Sequence, residues 1–332
     1  LSATIASEAE LIATYLAPLA RDFVGAFGLA DDCAYLSPSP GTDLVVTTDA
    51  VAAGVHFFAD DAPEDIGWKA LAVNVSDLAA KAAIPRAYQM ALSFPEAPSH
   101  EFMARLTRGL AAAQAAFGIV LCGGDTDRRA GPMTITITAF GEVPAGWRLT
   151  RAGASAGDVI YVTGNLGDAA LGLKLRRGDE DARAWTLTSP ERALLVGRYL
   201  RPSPQLAVQP ALRQWATAAM DLSDGLAKDL GRLAAVTGLG AEIAAGRLPL
   251  SPAVRRLLAM DARLLDLVLS GGDDYAVLFT TAPGREADVL EWAGSNGLAL
   301  ARIGQMTSQP GLVLESEDGR LRGLSPDGWD HF

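Results

Sequence analysis

The 332-residue chain holds only two cysteines, Cys33 and Cys122. Two thiols are too few for a disulfide framework or a cysteine-built zinc site. Each adjoins an acidic stretch, and a small buried side chain is the expected role of both, ahead of a catalytic thiol. Basic side chains are also in short supply, with 28 Lys and Arg against 39 Asp and Glu and a net charge of −11. That argues against a general nucleic-acid binder, which needs a basic stripe. An anionic substrate is compatible only if metal ions compensate the charge. No uninterrupted apolar run reaches the ~18 residues of a membrane span, and no signal peptide is evident. A cytoplasmic protein without membrane contact is the expectation. The chain lacks G-x-x-x-x-G-K-[ST], which excludes a P-loop kinase, and it lacks G-x-G-x-x-G, so no dinucleotide fingerprint is present.

What is present is an ordinary globular mix, 49% hydrophobic and 20% charged, long enough for two domains with a large core. Helical and strand patterns alternate along the chain, which reads as α/β (α+β). Pro144-Ala145-Gly146 looks like a hinge, so the expected domains are residues 1–145 and 146–332.

In the first half, Leu11, Ile12, Tyr15, Leu16 and Leu19 at 3–4 spacing predict an amphipathic helix over residues 5–24. A buried strand at 44–48 runs into Asp49. A helix over 66–82 carries Trp68, Leu71, Val75 and Ala79 on one face, with Asn74 and Asp77 opposite. For those two the residues alone predict a solvated polar face. A helix at 101–117 stops at Gly118, a C-cap signal. A short strand at 119–121 then delivers a turn, Gly123-Gly124-Asp125-Thr126. Alternating Thr and Ile over 134–138 opens a half-buried strand.

In the second half, a strand at 158–163 meets Gly164-Asn165-Leu166-Gly167-Asp168 at a helix start, a pattern that can mark an anion site. The organising stretch is Met220-Asp221-Leu222-Ser223-Asp224-Gly225-Leu226. A strand over 218–222 leads into it, and Ser223 is a candidate N-cap for the helix that follows. Leu269-Ser270-Gly271-Gly272-Asp273-Asp274-Tyr275 is a second glycine-rich acidic turn. The end, Asp327-Gly328-Trp329-Asp330-His331-Phe332, is too aromatic for a frayed tail and is expected to fold back.

Four acidic stretches share one chemistry: Asp31-Asp32, Thr47-Thr48-Asp49, Gly123-Gly124-Asp125-Thr126 and Asp221 to Asp224. Clustered carboxylates repel unless cations sit among them. Carboxylate and hydroxyl oxygens are hard donors suited to Mg²⁺, which joins protein to phosphate. The expectation is that these stretches converge. Residue chemistry alone supports a Mg²⁺-dependent phosphate enzyme and goes no further.

The set Ala30-Asp31-Asp32, Thr47-Thr48-Asp49, Gly54-Val55-His56-Phe57, Asn74-Val75-Ser76-Asp77-Leu78, Gly123-Gly124-Asp125-Thr126, Met220 to Gly225, Ser270 to Tyr275 and Gly328 to Phe332 resembles, in order, the bacterial thiamine-monophosphate kinase family. The resemblance implies a two-domain fold shared with aminoimidazole ribonucleotide synthetase. It also implies a homodimer whose N-terminal sheets join into a barrel. ATP and thiamine monophosphate would be the substrates, and ADP and thiamine diphosphate the products. Several Mg²⁺ ions would be held by Asp32, Thr47, Thr48, Asp49, Asp77, Asp125, Asp221 and Asp224. Asp49, Asp221 and Asp224 would be central to catalysis. Gly124, Asp125, Arg151 and Ser223 would contact ATP. His56, Asp273 and Trp329 would contact the acceptor, with Trp329 covering the thiamine rings.

Two positions depart from the family pattern. Ala30 stands where a glycine is usual, and Asp273 where a glutamate is usual. The competing readings are another ATP-dependent enzyme of the same superfamily, of ribonucleotide synthetase, selenophosphate synthetase or hydrogenase-maturation type, and a non-catalytic Mg-nucleotide binding module.

Overall fold

The computed structural model describes residues 3–330. The chain divides into two compact units. One is the chain up to Leu78 together with Ala83–Trp147; the other is Ala79–Ala82 together with the chain from Arg148 onward.

The first unit is built on a four-stranded sheet of order β1-β4-β2-β3. Its strands are β1 (Thr42–Ala52), β2 (Ile84–Phe94), β3 (Val120–Arg128) and β4 (Thr134–Pro144). β4 pairs antiparallel with β1 and β2, and β3 runs parallel to β2. The helix Pro63–Ala80 precedes β2, and the helix His100–Phe117 makes the crossover to β3. Ser99 caps that second helix by accepting from the Phe102 N–H, and Gly118 ends it in the left-handed conformation. In β4, Ile135, Ile137 and Ala139 are buried and the intervening threonines half-buried, the alternation read from the sequence.

Two elements differ from expectation. Residues 5–24 are helical only in pieces: a turn of α-helix at Glu8–Leu11, a π segment at Ile12–Leu16 and a 3-10 turn at Ala17–Ala20. Pro18 lies in the 3-10 turn and cannot donate to a continuing α-helical ladder. Gly123-Gly124-Asp125-Thr126 is not a turn but the middle of β3. Gly124 has φ +155°, and a Cβ there would stand 1.9 Å from the Met90 carbonyl. Only glycine lets the two strands meet at that point.

The second unit carries a seven-stranded sheet of order β11-β10-β7-β9-β5-β8-β6. Its strands are β5 (Val159–Thr163), β6 (Ala216–Leu222), β7 (Gly240–Ala244), β8 (Ala276–Thr281), β9 (Leu300–Thr307), β10 (Gly311–Glu315) and β11 (Leu321–Leu324). Helices Asp168–Arg177, Ser189–Leu200, Leu226–Thr237, Pro252–Met260 and Leu264–Ser270 connect or flank them. Leu226, Leu230 and Leu233 sit one helical turn apart and are fully buried in the same cluster as Ile160, Val162, Met220 and Leu278. The sheet thereby fixes β6, the strand that ends on Asp221-Leu222. Among the described residues no helix is long and apolar enough to cross a membrane.

Candidate active site

In the first unit, two of the acidic stretches line one cavity of about 610 Å³. Asp31, Asp32, Cys33 and Ala34 form one wall, and Gly123 to Thr126 another. The floor is the sheet itself. Thr48, Thr138, Gln89 and Gly123 align in one row, and Ala50, Thr136, Ala91 and Asp125 in a second. Alternation places both rows on the same face. Thr48 and Thr138 join through their hydroxyls at 2.9 Å.

The remaining site residues of this unit lie on the other face. Thr47 donates its hydroxyl to the Asp77 carboxylate. The backbone N–H of Asp49 donates to Asn74 Oδ1 at 3.0 Å, while Asn74 Nδ2 donates to the Ala70 carbonyl at 3.1 Å. Asn74 is 0% exposed, so the solvated polar face expected for Asn74 and Asp77 is wrong. The residues opposite the helix's apolar stripe are turned onto β1, where they hold the Thr47–Asp49 segment. Asp49 and Asp77 are absent from the lining of the cavity that holds Asp32 and Asp125. His56 closes the turn after β1, and its Nδ1 accepts from the Ala52 N–H at 3.1 Å. In that arrangement the ring proton of a neutral imidazole sits on Nε2.

Cys122 is buried and Cys33 is exposed, so the expectation of two buried thiols holds for Cys122 alone. Burial pushes the Cys122 thiol up to about 11.

In the second unit, three stretches that lie far apart in sequence interlock. The Asp273 N–H donates to the Ser223 carbonyl at 2.9 Å, and the Tyr275 N–H to the Leu222 carbonyl at 2.8 Å. The Trp329 N–H donates to the Asp224 carbonyl at 3.1 Å. Lys228 donates to the Trp329 carbonyl and lies 3.3 Å from the Asp330 carboxylate. The tail therefore folds back as expected through Asp330, with Trp329 45% exposed; His331 and Phe332 lie outside the described residues. A Cβ at Gly272 would stand 2.3 Å from the Ser223 carbonyl, and one at Gly328 would stand 2.3 Å from the Asp224 carbonyl. Both glycines serve close backbone approach.

Ser223 does not cap the following helix. The N-cap is Gly225, with φ +107° and no side chain to offer. Asp229, in the first turn of that helix and not singled out from the sequence, instead holds the loop ahead of the N-cap. Its Oδ2 accepts from the N–H groups of Ser223 at 3.1 Å and Asp224 at 2.9 Å, and its Oδ1 accepts from Arg232 at 3.0 Å. Burial pushes its carboxyl up to about 6, against the lowering effect of those bonds. An acid in a helix's first turn is so common that it carries no signal alone; the clue was a glycine where a capping residue would be usual.

Arg151 is exposed and begins a single turn, Arg151–Gly153. That turn rests on β6 through the Ala219 N–H to Thr150 carbonyl bond at 3.2 Å. The supposed anion site at the start of the helix Asp168–Arg177 is taken by the protein's own carboxylate. Both oxygens of Asp274 accept from the Gly167 N–H, at 3.0 and 3.1 Å. The Gly167 N–H at the helix start is thus satisfied from within, and the bond ties the Gly271–Asp274 loop down.

Two family models match the chain: AIR synthase related protein, N-terminal domain, over residues 30–143, and its C-terminal domain over residues 155–317. The thiamine-monophosphate kinase of Salmonella typhimurium is 39% identical over 306 residues, spanning 92% of this chain and 91% of that one. The chain belongs to the thiamine-monophosphate kinase family. A thiamine-monophosphate kinase from Stenotrophomonas maltophilia superposes with TM-score 0.80 at 39% identity, over 96% of this chain and 99% of that one. AaThiL complexed with AMPPCP and TMP superposes with TM-score 0.77 at 30% identity, over 93% and 97% of the two chains. The two-domain AIR synthase-related fold implied by the motifs is therefore the observed one.

Both departures from the family pattern are sterically easy here. Ala30 has φ −101° and ψ −2°, an ordinary conformation for any residue. Asp273 has φ +70°, a region that aspartate tolerates better than most side chains.

Proposed function

We propose that the chain transfers the γ-phosphoryl group of ATP to thiamine monophosphate, forming ADP and thiamine diphosphate. The observation that carries this reading is near-full-length similarity to thiamine-monophosphate kinases, together with a cavity where two of the family's acidic motifs meet. A nucleotide analogue and TMP are both bound in the AaThiL complex.

Among the described residues no three His, Cys, Asp or Glu side chains gather closely enough to cage a metal ion. The donor set still fits Mg²⁺. It consists of carboxylate and hydroxyl oxygens, and Mg²⁺ characteristically binds one or two carboxylates while substrate phosphates and water complete its shell. Asp32, Thr47, Thr48, Asp49, Asp77, Asp125, Asp221 and Asp224 are the proposed ligands, with Asp49, Asp221 and Asp224 essential to turnover. Bound Mg²⁺ would neutralise the facing charges of donor and acceptor phosphates.

The chain's own residues then have positioning to do. Gly124 and Asp125, on the strand β3, and Arg151 and Ser223 would receive ATP. His56, Asp273 and Trp329 would hold the acceptor, with Trp329 covering the thiamine rings. The acceptor phosphate, with a second pKa near ~6 by analogy with other monoesters, is largely ionised at neutral pH. It attacks without a strong general base, in line and with no phosphoenzyme.

We also propose a homodimer built on the first sheet. On one face of β1, Val46 is 55% and Leu44 36% exposed, and Ile84 of β2, in the same row as Leu44 through Glu142, is 50% exposed. Apolar side chains grouped on one sheet face call for a cover.

The test is ADP formation with and without thiamine monophosphate, in the intact chain and in Asp49→Ala and Asp221→Ala. Acceptor-dependent ADP release, lost in both folded variants at saturating Mg²⁺, supports the reading. ATP binding without ADP release would identify a binding module instead, and indifference to the acceptor would point to another enzyme of the superfamily.

A further inference from the structure

The chain buries one carboxylate completely behind the Asp221–Asp224 loop. Asp229 is 0% exposed, and a buried charge is costly unless every lone pair finds a donor. Here the donors are two successive backbone N–H groups of the loop and one guanidinium. The guanidinium does a second task. Arg232 Nη1 donates to Asp224 Oδ2 at 2.6 Å as well as to Asp229 Oδ1 at 3.0 Å.

Two features argue that this is more than helix capping. First, the bonded N–H groups belong to Ser223 and Asp224, which precede the N-cap Gly225 and lie outside the helix. Second, Arg232 reaches past the buried acid to grip one oxygen of the Asp224 side chain, leaving the other without that restraint. Asp229 fixes the main chain on which Asp224 is carried, and Arg232 holds its carboxylate, with Lys228 3.8 Å from the same oxygen.

We infer that Asp229 and Arg232 are positioning residues that preset the Asp221–Asp224 loop to receive a divalent cation with its nucleotide. The inference rests on the proposed reading of Asp221 and Asp224 as Mg²⁺ ligands. The benefit is preorganisation: a ligand loop already in its bound shape pays no ordering cost when the cation arrives. Loss of either residue should weaken cation binding while leaving recognition of the acceptor alone.

The experiment uses the full chain and the variants Asp229→Asn, Arg232→Gln and Asp221→Asn. Thermal melting shows which of them fold. Mn²⁺ binding in the presence of AMPPCP is followed by electron paramagnetic resonance, and Mg²⁺ half-saturation and the KM for thiamine monophosphate by steady-state kinetics. In Asp229→Asn, we expect Mn²⁺ binding and Mg²⁺ half-saturation to weaken about tenfold, with the acceptor KM within twofold of the parent, because a ligand loop out of place loses binding of that order. Arg232→Gln keeps the buried acid's bonds to the loop but removes both the grip on Asp224 and the bond to Asp229 Oδ1; about tenfold weaker cation binding is expected. It also decides the matter if Asp229→Asn does not fold. Unchanged cation binding in the folded variants, or an acceptor KM that rises in parallel, overturns the inference. If Asp221→Asn loses cation binding while the other two keep it, only the positioning roles fail. If Asp221→Asn binds cation normally, the ligand assignment beneath them has failed.

Discussion

The Tyr275 hydroxyl donates to Asp273 Oδ1 at 3.1 Å, two residues away, across backbone in the left-handed region at both positions, φ +47° and +70°. The two side chains are thereby held on one short loop whose main chain is pinned to Leu222 and Ser223. If Asp273 contacts the acceptor, Tyr275 sets its orientation. Tyr275→Phe should raise the KM for thiamine monophosphate about threefold to tenfold, as expected for a hydrogen bond to a charged group weakened by partial exposure. The KM for ATP should not move. Steady-state kinetics with each substrate varied in turn checks this, and equal changes in both would remove the assigned role.

Gly124→Ala tests the strand approach that builds the cavity wall. The new Cβ would start 1.9 Å from the Met90 carbonyl at a φ of +155°. Forced overpacking of this kind costs about 1–3 kcal/mol or more. A fall in Tm of about 4–10 °C is the corresponding shift for a domain of this size. Thermal melting followed by circular dichroism measures it. An unchanged Tm would mean that β2 and β3 are not joined as described.

The two thiols should differ sharply in reactivity. Cys33 is exposed on the cavity that Asp31, Asp32 and Asp125 line, whereas burial raises the Cys122 thiol to about 11. Because the thiolate is the reactive form, a disulfide reagent near neutral pH should label one thiol per native chain rapidly and the second only on unfolding. Mg·AMPPCP should slow the rapid phase if the nucleotide occupies this cavity. Mass spectrometry of labelled peptides identifies the site, and rapid labelling of Cys122 would contradict the burial.

Two buried acids give the second unit a definite pH response. Burial is the main cause that raises Asp168 and Asp274 above the usual carboxylate range, and the neighbouring Asp168 charge raises Asp274 further. A group with a raised folded pKa binds its proton more tightly when folded. Its stabilising effect is therefore full below the unfolded value near ~3.9 and is lost as pH rises through the folded value. Asp168→Asn keeps an oxygen to accept from Ser251, the native bond being 2.5 Å, and removes the titration. The Tm of the variant should fall less steeply than that of the parent as pH rises above about 4. Melts across pH 4.5 to 8 compare the slopes, and parallel curves would show that Asp168 does not titrate as described.

Local chemistry made part of this molecule legible without coordinates. Gly118 ends a helix as its C-cap, and the Thr–Ile alternation of β4 gives the sheet its two faces, because both signals depend on backbone geometry within a few residues. The motif order along the chain sufficed to identify the family, since it names residue types that phosphate and cation chemistry require. Only tertiary structure decided where those residues stand. Strand register brings Asp125 to the face of the cavity that Asp31 and Asp32 line, and turns Asp49 to the other side of the sheet, where Asp77 of the helix Pro63–Ala80 meets Thr47. Asn74 and Asp77 read as a wet helix face because periodicity reports which residues share a side, not whether a strand covers it. Asp229 drew no notice in the sequence because its loop partners are backbone N–H groups, and main-chain donors leave no mark on the sequence that will receive them.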